Sequence, residues 1–201
     1  MLRIRMLVAT AAVVCFAFAG VAVASAAKVT GGTTTITASS AAVTLLTTNH
    51  ITLTPLAPAT ASGATYTFPI VRGKLNPKSL RGYLVHKGGL TVSNGTKTLA
   101  LRAPTIISTK RGISMWALVR APAERVCHSV GARQLRERCL IVTRLATERI
   151  ATITDVTLSG MSASGTVKIT AFTADVLNKL AGKQVAASGD TLGTATTSPT
   201  L

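Results

Sequence analysis

The stretch LTVSNGTKTL, residues 90–99, bears most directly on the fold. Its two halves alternate apolar with hydroxyl-bearing or charged residues, and Asn94-Gly95 lies between them. Asn-Gly tolerates the positive φ that both central residues of a two-residue type I′ turn require. The stretch therefore predicts an antiparallel hairpin with a tight Asn94-Gly95 turn. Asn94-Gly95-Thr96 also matches a glycosylation sequon, but the flanking alternation favours the turn.

Further strand patterns lie on both sides of this hairpin. Apolar side chains recur at every second position over residues 66–70 and 113–119. The chain is rich in Thr and Val, has only 3% aromatic residues, and is interrupted by Gly and Pro at short intervals. Such a composition is typical of short strands in a sandwich-like or barrel-like fold. We expect strands at 113–119 and 139–145.

Two segments have helical rather than strand periodicity. Residues 41–48 follow Ser39 and Ser40, either of which can cap a helix. Residues 174–181 follow Thr173 as the cap, and a glycine ends the segment. The predicted fold is mainly β, with sandwich-like antiparallel sheets and two short helices. The helices lie near the two ends of the mature chain, residues 27–201, which is defined below.

The N-terminal segment has the organisation of a secretory signal peptide. Arg3 and Arg5 precede an uncharged run, and Ala24-Ser25-Ala26 fits the small-x-small cleavage rule. We expect residues 1–26 to be removed. The alternative is a retained membrane anchor, because the run is long enough to span a bilayer.

Cleavage leaves residues 27–201, enough for a single domain with a hydrophobic core. No segment of that domain approaches a membrane-spanning length. We therefore expect a secreted or cell-envelope-associated protein without a transmembrane segment after cleavage.

The charge is strongly basic and unevenly distributed. The net charge is +16, and the stretch from Arg72 to Arg149 carries 16 Lys or Arg against three Glu. Such a field attracts polyanions. For an exported protein these are envelope polymers and lipid headgroups rather than cytoplasmic nucleic acid. The same charge also fits a solvated surface that maintains solubility.

Around residues 123–139 the chain departs from the β pattern and becomes densely charged. Cys127 and Cys139 lie there and are the two cysteines left after cleavage. In an oxidising compartment they are expected to pair, which adds about 3 kcal/mol in the loop-entropy model. A metal site with His128 is the rival interpretation, but this spacing matches no zinc pattern.

The segment is expected to form an exposed basic excursion closed by that disulfide. Its arginines are the predicted polyanion-binding residues, because guanidinium groups bind phosphate and carboxylate bidentately. They are Arg125, Arg133, Arg136 and Arg138.

Catalytic signatures are absent from the sequence. The segment from Gly160 to Ser164 fails the last position of a nucleophile elbow. There is no zinc-protease, phosphate-loop or dinucleotide pattern, and the six acidic residues form no evident pair. We expect no catalytic residue, no metal site and no enzymatic activity.

One stretch carries a family resemblance. Its elements are Phe68-Pro69-Ile70, Gly73-x-Leu75, Leu80-x-Gly82, His86-x-Gly88-Gly89-Leu90 and Ala103-Pro104-Thr105-Ile106. Over residues 64–107 the pattern resembles the central segment of HtaA-type domains, the exported haem-acquisition modules of Gram-positive bacteria.

The resemblance implies a β-rich fold with short helices and a hydrophobic or planar ligand such as haem. In that family a tyrosine from an aromatic N-terminal motif ligates the iron, and a histidine supports it. His86 matches the histidine, whereas residues 28–65 contain no aromatic residue. Tyr66 and Tyr83 are therefore the remaining candidates beside His86. Because a defined axial ligand is needed, we expect little or no specific haem binding and assign no cofactor.

Two functions follow from the sequence. The first is a non-enzymatic envelope domain that binds a hydrophobic or planar ligand near His86, Tyr83 and Tyr66. The second is an adhesive or structural envelope protein that binds polyanions through its basic central segment.

Overall fold

The computed structural model describes residues 26–120, 124–129, 137–142 and 145–201. Most of them lie in strands, and two segments are helical, as predicted. The strands are β1 Ala27–Val29, β2 Gly31–Ala38, β3 Thr52–Leu56, β4 Thr60–Ser62, β5 Thr65–Leu75, β6 Gly82–His86, β7 Gly89–Ser93, β8 Thr98–Thr109, β9 Gly112–Arg120, β10 Glu124–Ser129, β11 Glu137–Val142, β12 Leu145–Ser159, β13 Ser162–Ile169 and β14 Thr191–Thr200. The helices are α1 Ser40–Thr48 and α2 Ala171–Ala181.

Of the predicted signal peptide, residues 1–25 lie outside the described part of the chain. Within that part, no helix is both long enough and apolar enough to cross a membrane.

Eight antiparallel strands close into a barrel. Around the ring they follow the order β5, β2, β14, β13, β12, β9, β8 and β6, and β6 pairs again with β5. The antiparallel sheets expected from the sequence are thus joined edge to edge, and closure leaves no free edge within the ring. The seam between β2 and β14 brings together the two ends of the described chain.

Four shorter strands extend the ring. β1 and β4 pair with β5, while β7 pairs with β8 and β3 with β7. β8 is long enough to hold β6 along one half and β7 along the other. A bulge between Arg102 and Thr105 separates the halves, and within it Ala103 has a φ of 46°.

Two hydrophobic cores result from this arrangement. The first fills the barrel and includes Val29, Phe68 and Val167, all nearly inaccessible to solvent. The second lies where the helices cover one end of the barrel, and it joins Leu46 of α1 and Leu177 of α2 to Val92 of β7. We call this the helix end of the barrel.

The first turns of the two helices confirm one sequence prediction and correct another. Ser39 caps α1, and its Oγ accepts the Ala42 N–H at 3.2 Å. α2 begins one turn earlier than predicted, because Thr170 rather than Thr173 is its cap. Thr173 is instead inside the first turn, where its hydroxyl donates to the Ile150 carbonyl of β12. Gly182, the predicted terminating glycine, has a φ of 70°.

The hairpin around residues 90–99 is present, but its loop differs from the predicted type I′ turn. Ser93 pairs with Thr98, so the loop has four residues, Asn94 to Lys97, rather than two. Asn94 Oδ1 accepts the backbone N–H groups of Thr96 and Lys97. Its Nδ2 donates to the Leu180 carbonyl at 2.7 Å and ties the loop to the last turn of α2.

The basic excursion forms its own two-stranded antiparallel sheet, β10 and β11, outside the barrel sheet. The predicted strand at 139–145 overlaps β11, which ends at Val142, and β12, which begins at Leu145, while residues 143 and 144 lie outside the described residues. Cys127 and Cys139 are register partners across the pair. Arg125 and Arg138 lie on these strands, whereas the predicted polyanion-binding residues Arg133 and Arg136 lie outside the described residues.

Candidate functional site

His86 lies inside the barrel and not at a free ligand position. It ends β6, pairs with Ile70 of β5, and is only 2% exposed. Its Nε2 is 2.8 Å from Thr34 Oγ1 of β2, and its Nδ1 is 2.8 Å from the Pro104 carbonyl oxygen. Thr34 Oγ1 is in turn 2.9 Å from Thr197 Oγ1 of β14. Both ring nitrogens are therefore engaged.

The chemistry of the acceptors sets the direction of each hydrogen bond. A carbonyl can only accept, so His86 Nδ1 carries the proton that is donated to Pro104. In the neutral imidazole Nε2 must then accept, and the Thr34 hydroxyl donates to it. With its own proton used, Thr34 accepts from the Thr197 hydroxyl. The chain of hydrogen bonds runs from Thr197 through Thr34 and His86 to Pro104.

Burial keeps this imidazole neutral. Desolvation lowers the pKa of His86 below its usual value, and the hydrogen bond to the Pro104 carbonyl opposes that effect in part. A neutral ring completes the chain of hydrogen bonds, whereas protonation would require the Thr34 hydroxyl to turn away from Nε2 and donate to Thr197 instead.

The bulge in β8 explains why the Pro104 carbonyl can accept. Pro104 lies within the register shift between β8 and β9, and its carbonyl oxygen is directed to His86 Nδ1. The Ala103 N–H bonds to the Gly88 carbonyl at 2.9 Å and holds the bulge against the β6–β7 turn. The Gly88-Gly89 segment of the sequence pattern therefore helps to hold the Pro104 carbonyl beside His86.

The helix end of the barrel encloses an apolar cavity of about 100 Å³, the helix-end cavity. Strands and both helices line it, and its wall includes Ile36, Leu46, Tyr66, Phe172 and Val176. A second cavity of about 310 Å³, the interhelix cavity, lies beside it between α1 and α2. The two adjoin through shared lining residues, which are Leu46, Ile169, Leu177 and Leu192.

Tyr66 is the tyrosine that lines the helix-end cavity. It is half-buried on the interior face of β5, and burial raises the pKa of its phenol. Among the described residues no hydrogen-bond partner of its hydroxyl is found. The phenol therefore keeps its proton at neutral pH.

The opposite end of the barrel holds a third cavity of about 240 Å³, the loop-end cavity. Its wall is mostly apolar, including Leu75, Leu84, Ile106 and Val156, with Thr197 among its few hydroxyl groups. Pro104 lines the helix-end cavity. The hydrogen bonds through His86 thus connect residues that line opposite ends of the barrel interior.

The structure separates the three ligand candidates suggested by the sequence. Tyr83 is on the outer face of β6 and is 40% exposed, whereas His86 of the same strand faces inward. Tyr66 shares the interior with His86 but lies four residues along β5 from Ile70, the register partner of His86. That separation is about 13 Å at the usual strand rise.

Two functional-site neighbours were missed by sequence reasoning. Thr34 and Thr197 lie in strands in which half of the residues are threonine, so nothing local distinguishes them. Within the described part of the chain, no group of three or more His, Cys, Asp or Glu side chains could hold a metal ion.

Comparison with known proteins defines the fold. No protein-family model matches the sequence. No curated protein matches it either. Three solved structures from Corynebacterium glutamicum do match. The C-terminal domain of HtaA has a TM-score of 0.57 and 13% identity, covering 86% of this chain and 97% of that domain.

The N-terminal domain of HtaA has a TM-score of 0.56 and 12% identity, covering 88% of this chain and 99% of that domain. The heme-binding protein HtaB has a TM-score of 0.52 and 13% identity, covering 87% of this chain and 95% of HtaB. Identity is low, but the similarity spans nearly the whole of each domain. The resemblance predicted from the central segment is confirmed for the fold: this chain has an HtaA-like fold.

Proposed function

We propose that this chain is an exported, non-enzymatic binding domain of the cell envelope that takes a small hydrophobic ligand at the helix end of its barrel. The observation that carries the proposal is the pair of adjoining cavities beneath α1 and α2. Ligand pockets are typically concave, mostly apolar and equipped with a few polar groups that fix orientation. Here the wall is almost entirely apolar, and the Tyr66 side chain forms part of it.

The HtaA-like fold supports a binding role of this kind, and HtaB is a heme-binding protein. The residues present in this chain do not suit haem ligation, however. Both ring nitrogens of His86 are engaged inside the barrel, and Tyr83 is on the outer face. Tyr66 remains, but burial disfavours the phenolate that would bind ferric iron. The proposed ligand is therefore a hydrophobic molecule that packs against the apolar wall, and not haem.

The test uses N-phenyl-1-naphthylamine, a neutral planar probe that the basic surface does not attract. Val176→Phe places a larger side chain in the wall of the helix-end cavity, and Val156→Phe does the same in the loop-end cavity. The added phenyl ring occupies space that a bound probe would fill. We therefore expect probe fluorescence to show affinity reduced about tenfold in Val176→Phe and nearly unchanged in Val156→Phe.

Equal affinities in both variants and the wild type would contradict the proposed site. A haemin titration checks the ligand class. We expect no saturable Soret shift. A stoichiometric shift that disappears in Tyr66→Phe would make Tyr66 an iron ligand and overturn the exclusion of haem.

A further inference from the structure

The outer wall of the barrel carries a concentrated basic surface on β1, β5 and β6. Lys28 pairs with Lys74, and Lys74 pairs with Tyr83, so that the three residues form one row across three strands. Arg72 lies two residues from Lys74 on the same outer face. Lys78 and Arg81 lie in the loop that joins β5 to β6 at the end of this row. These six residues are the basic wall, and all six are exposed.

Acidic residues are absent from this part of the chain. Residues 26–120 contain 11 Lys or Arg and no Asp or Glu. Among the described side chains, the ion pair that forms joins Lys179 to Asp175 within α2. Asp155, on β12, is separated from β6 by β8 and β9 in the ring. No described carboxylate on β1, β5, β6 or β8 offsets the charge of the basic wall.

The pairing of Lys28 with Lys74 has an energetic consequence. Directly opposed residues of an antiparallel pair have Cβ atoms about 5 Å apart, and like charges there destabilise the pair. The fold therefore carries repulsion in this row that an anion lying between the ammonium groups would relieve. Tyr83 adds an exposed aromatic face at the end of the same row, which suits stacking against a sugar or polyol unit.

We propose that the basic wall binds a linear anionic polymer whose backbone carries phosphate groups. Lys28 and Lys74 are paired across two strands, Arg72 lies beside them on β5, and Lys78 and Arg81 lie in the adjoining β5–β6 loop. The five charges form one outward-facing patch, which can contact several phosphate groups of a flexible polymer at once. This site is distinct from the proposed ligand cavity, because the basic wall faces outward. It also consists of residues other than Arg133 and Arg136, which the sequence suggested for polyanion binding and which lie outside the described residues.

The test measures binding of fluorescently labelled long-chain polyphosphate by anisotropy at fixed ionic strength. Arg72→Thr with Lys74→Thr removes two charges from the basic wall and keeps residues that favour strands. Lys97→Thr with Lys183→Thr removes two charges from exposed loops at the helix end. We expect Kd to rise about five- to tenfold in the first variant, as for two lost ion contacts, and less than twofold in the second.

Folding is checked by thermal melting. We expect the melting temperature of the first variant to be unchanged or higher, since the repulsion between Lys28 and Lys74 is removed. If that variant is less stable, Lys78→Ser with Arg81→Ser tests the same surface from the loop.

Equal losses of polyphosphate affinity in the basic-wall and control variants would mean that the attraction is spread over the whole surface, and would overturn the proposal. A larger loss in Arg133→Ser with Arg136→Ser would overturn it in favour of the hairpin. Binding to anionic vesicles but not to polyphosphate would overturn it in favour of a membrane surface.

Discussion

Thr34, His86 and Thr197 show how three polar side chains are accommodated in an apolar barrel. Each is at most 9% exposed, and burial of a polar group without a partner costs about 1–3 kcal/mol. The hydrogen bonds between them leave no described buried side-chain nitrogen or oxygen unsatisfied. They also join β2, β6, β8 and β14, which are not all neighbours in the ring. His86 therefore has a structural role in fixing the barrel interior.

This role predicts a pH-dependent stability. The pKa of His86 is lowered in the folded state, so the unfolded chain takes up a proton near pH 6.5 before the folded chain does. The free energy of unfolding should then fall as the pH drops below about 6.5. The slope for one proton is at most about 1.4 kcal/mol per pH unit. Urea denaturation at pH 7 to 5 measures it, over a range in which ordinary carboxylates stay largely ionised.

Substitution of each histidine in turn distinguishes the contribution of His86 to this pH dependence from the contributions of the other two histidines. His86→Gln should lower the free energy of unfolding by about 1–3 kcal/mol at pH 7, because Thr34 or Pro104 loses its hydrogen-bond partner. It should also abolish most of the dependence of that free energy on pH. His50→Asn should keep the slope, since His50 is exposed and Asn tolerates its φ of 54°. His128→Asn is the second control. A wild-type slope that survives in His86→Gln would show that another group is responsible.

The role of His86 could not be predicted from the sequence, although its position could. The pattern His86-x-Gly88-Gly89-Leu90 marked a strand boundary correctly. The partners of the imidazole, however, come from β2 and β8, and Thr34 is 52 residues away. Local sequence specifies a turn or a strand face, whereas the pairing of distant strands decides which threonine meets a buried ring.

Individual elements were predictable where local chemistry decides them. The alternation over 66–70 and 113–119 gave the interior faces of β5 and β9, and Ser39 was one of two predicted caps of α1. The errors arose where tertiary contacts compete with local preference. Asn94 closes a four-residue loop because its amide also reaches the end of α2. Thr173 does not cap α2 because its hydroxyl bonds to β12.

The register of the β10–β11 hairpin predicts a disulfide between its two cysteines. Opposed residues of an antiparallel pair have Cα atoms about 4.5–5.5 Å apart, within the range that a disulfide spans. Cys127 and Cys139 are opposed in this way. We expect thiol titration of protein purified without reductant to find neither cysteine free. Two free thiols at these positions would contradict the pairing.

Loss of the bridge should affect the hairpin more than the barrel. β10 and β11 form a separate two-stranded sheet, and an isolated hairpin is marginally stable. Cys127→Ser with Cys139→Ser should therefore speed proteolytic cleavage between β9 and β12, with little change in the melting temperature of the barrel. Reduced wild-type protein serves as the control and should behave as the double variant does.

For the molecule as a whole, the closure of the sheet into a barrel is the feature that the sequence did not predict. Strand content, antiparallel pairing and two helices near the ends followed from composition and periodicity. Whether antiparallel strands face each other as two sheets or join into one ring depends on pairs such as β2 with β14 and β5 with β6. The first of these pairs joins residues more than 150 positions apart. No local pattern reports such a contact.

The seam between β2 and β14 supplies the test of closure. Gly32 pairs there with Pro199 and has a φ of 111°. A Cβ at this position would overlap the Ser198 carbonyl oxygen, whereas a Cβ at Gly31, the preceding residue, would meet open space. Gly32→Ala should therefore lower the free energy of unfolding by about 1–3 kcal/mol, through backbone strain and displacement of β14.

Gly31→Ala makes the same chemical change one residue away and should stay within about 0.5 kcal/mol of the wild type. Urea unfolding compares the two variants, and an unchanged m-value would show that both unfold from an equally compact native state. Because β14 enters the ring only through β2 and β13, strain at this seam acts on the closure of the barrel rather than on one hairpin. Equal stability of the two variants would mean that β14 does not press against Gly32, and the barrel would then be open at the seam.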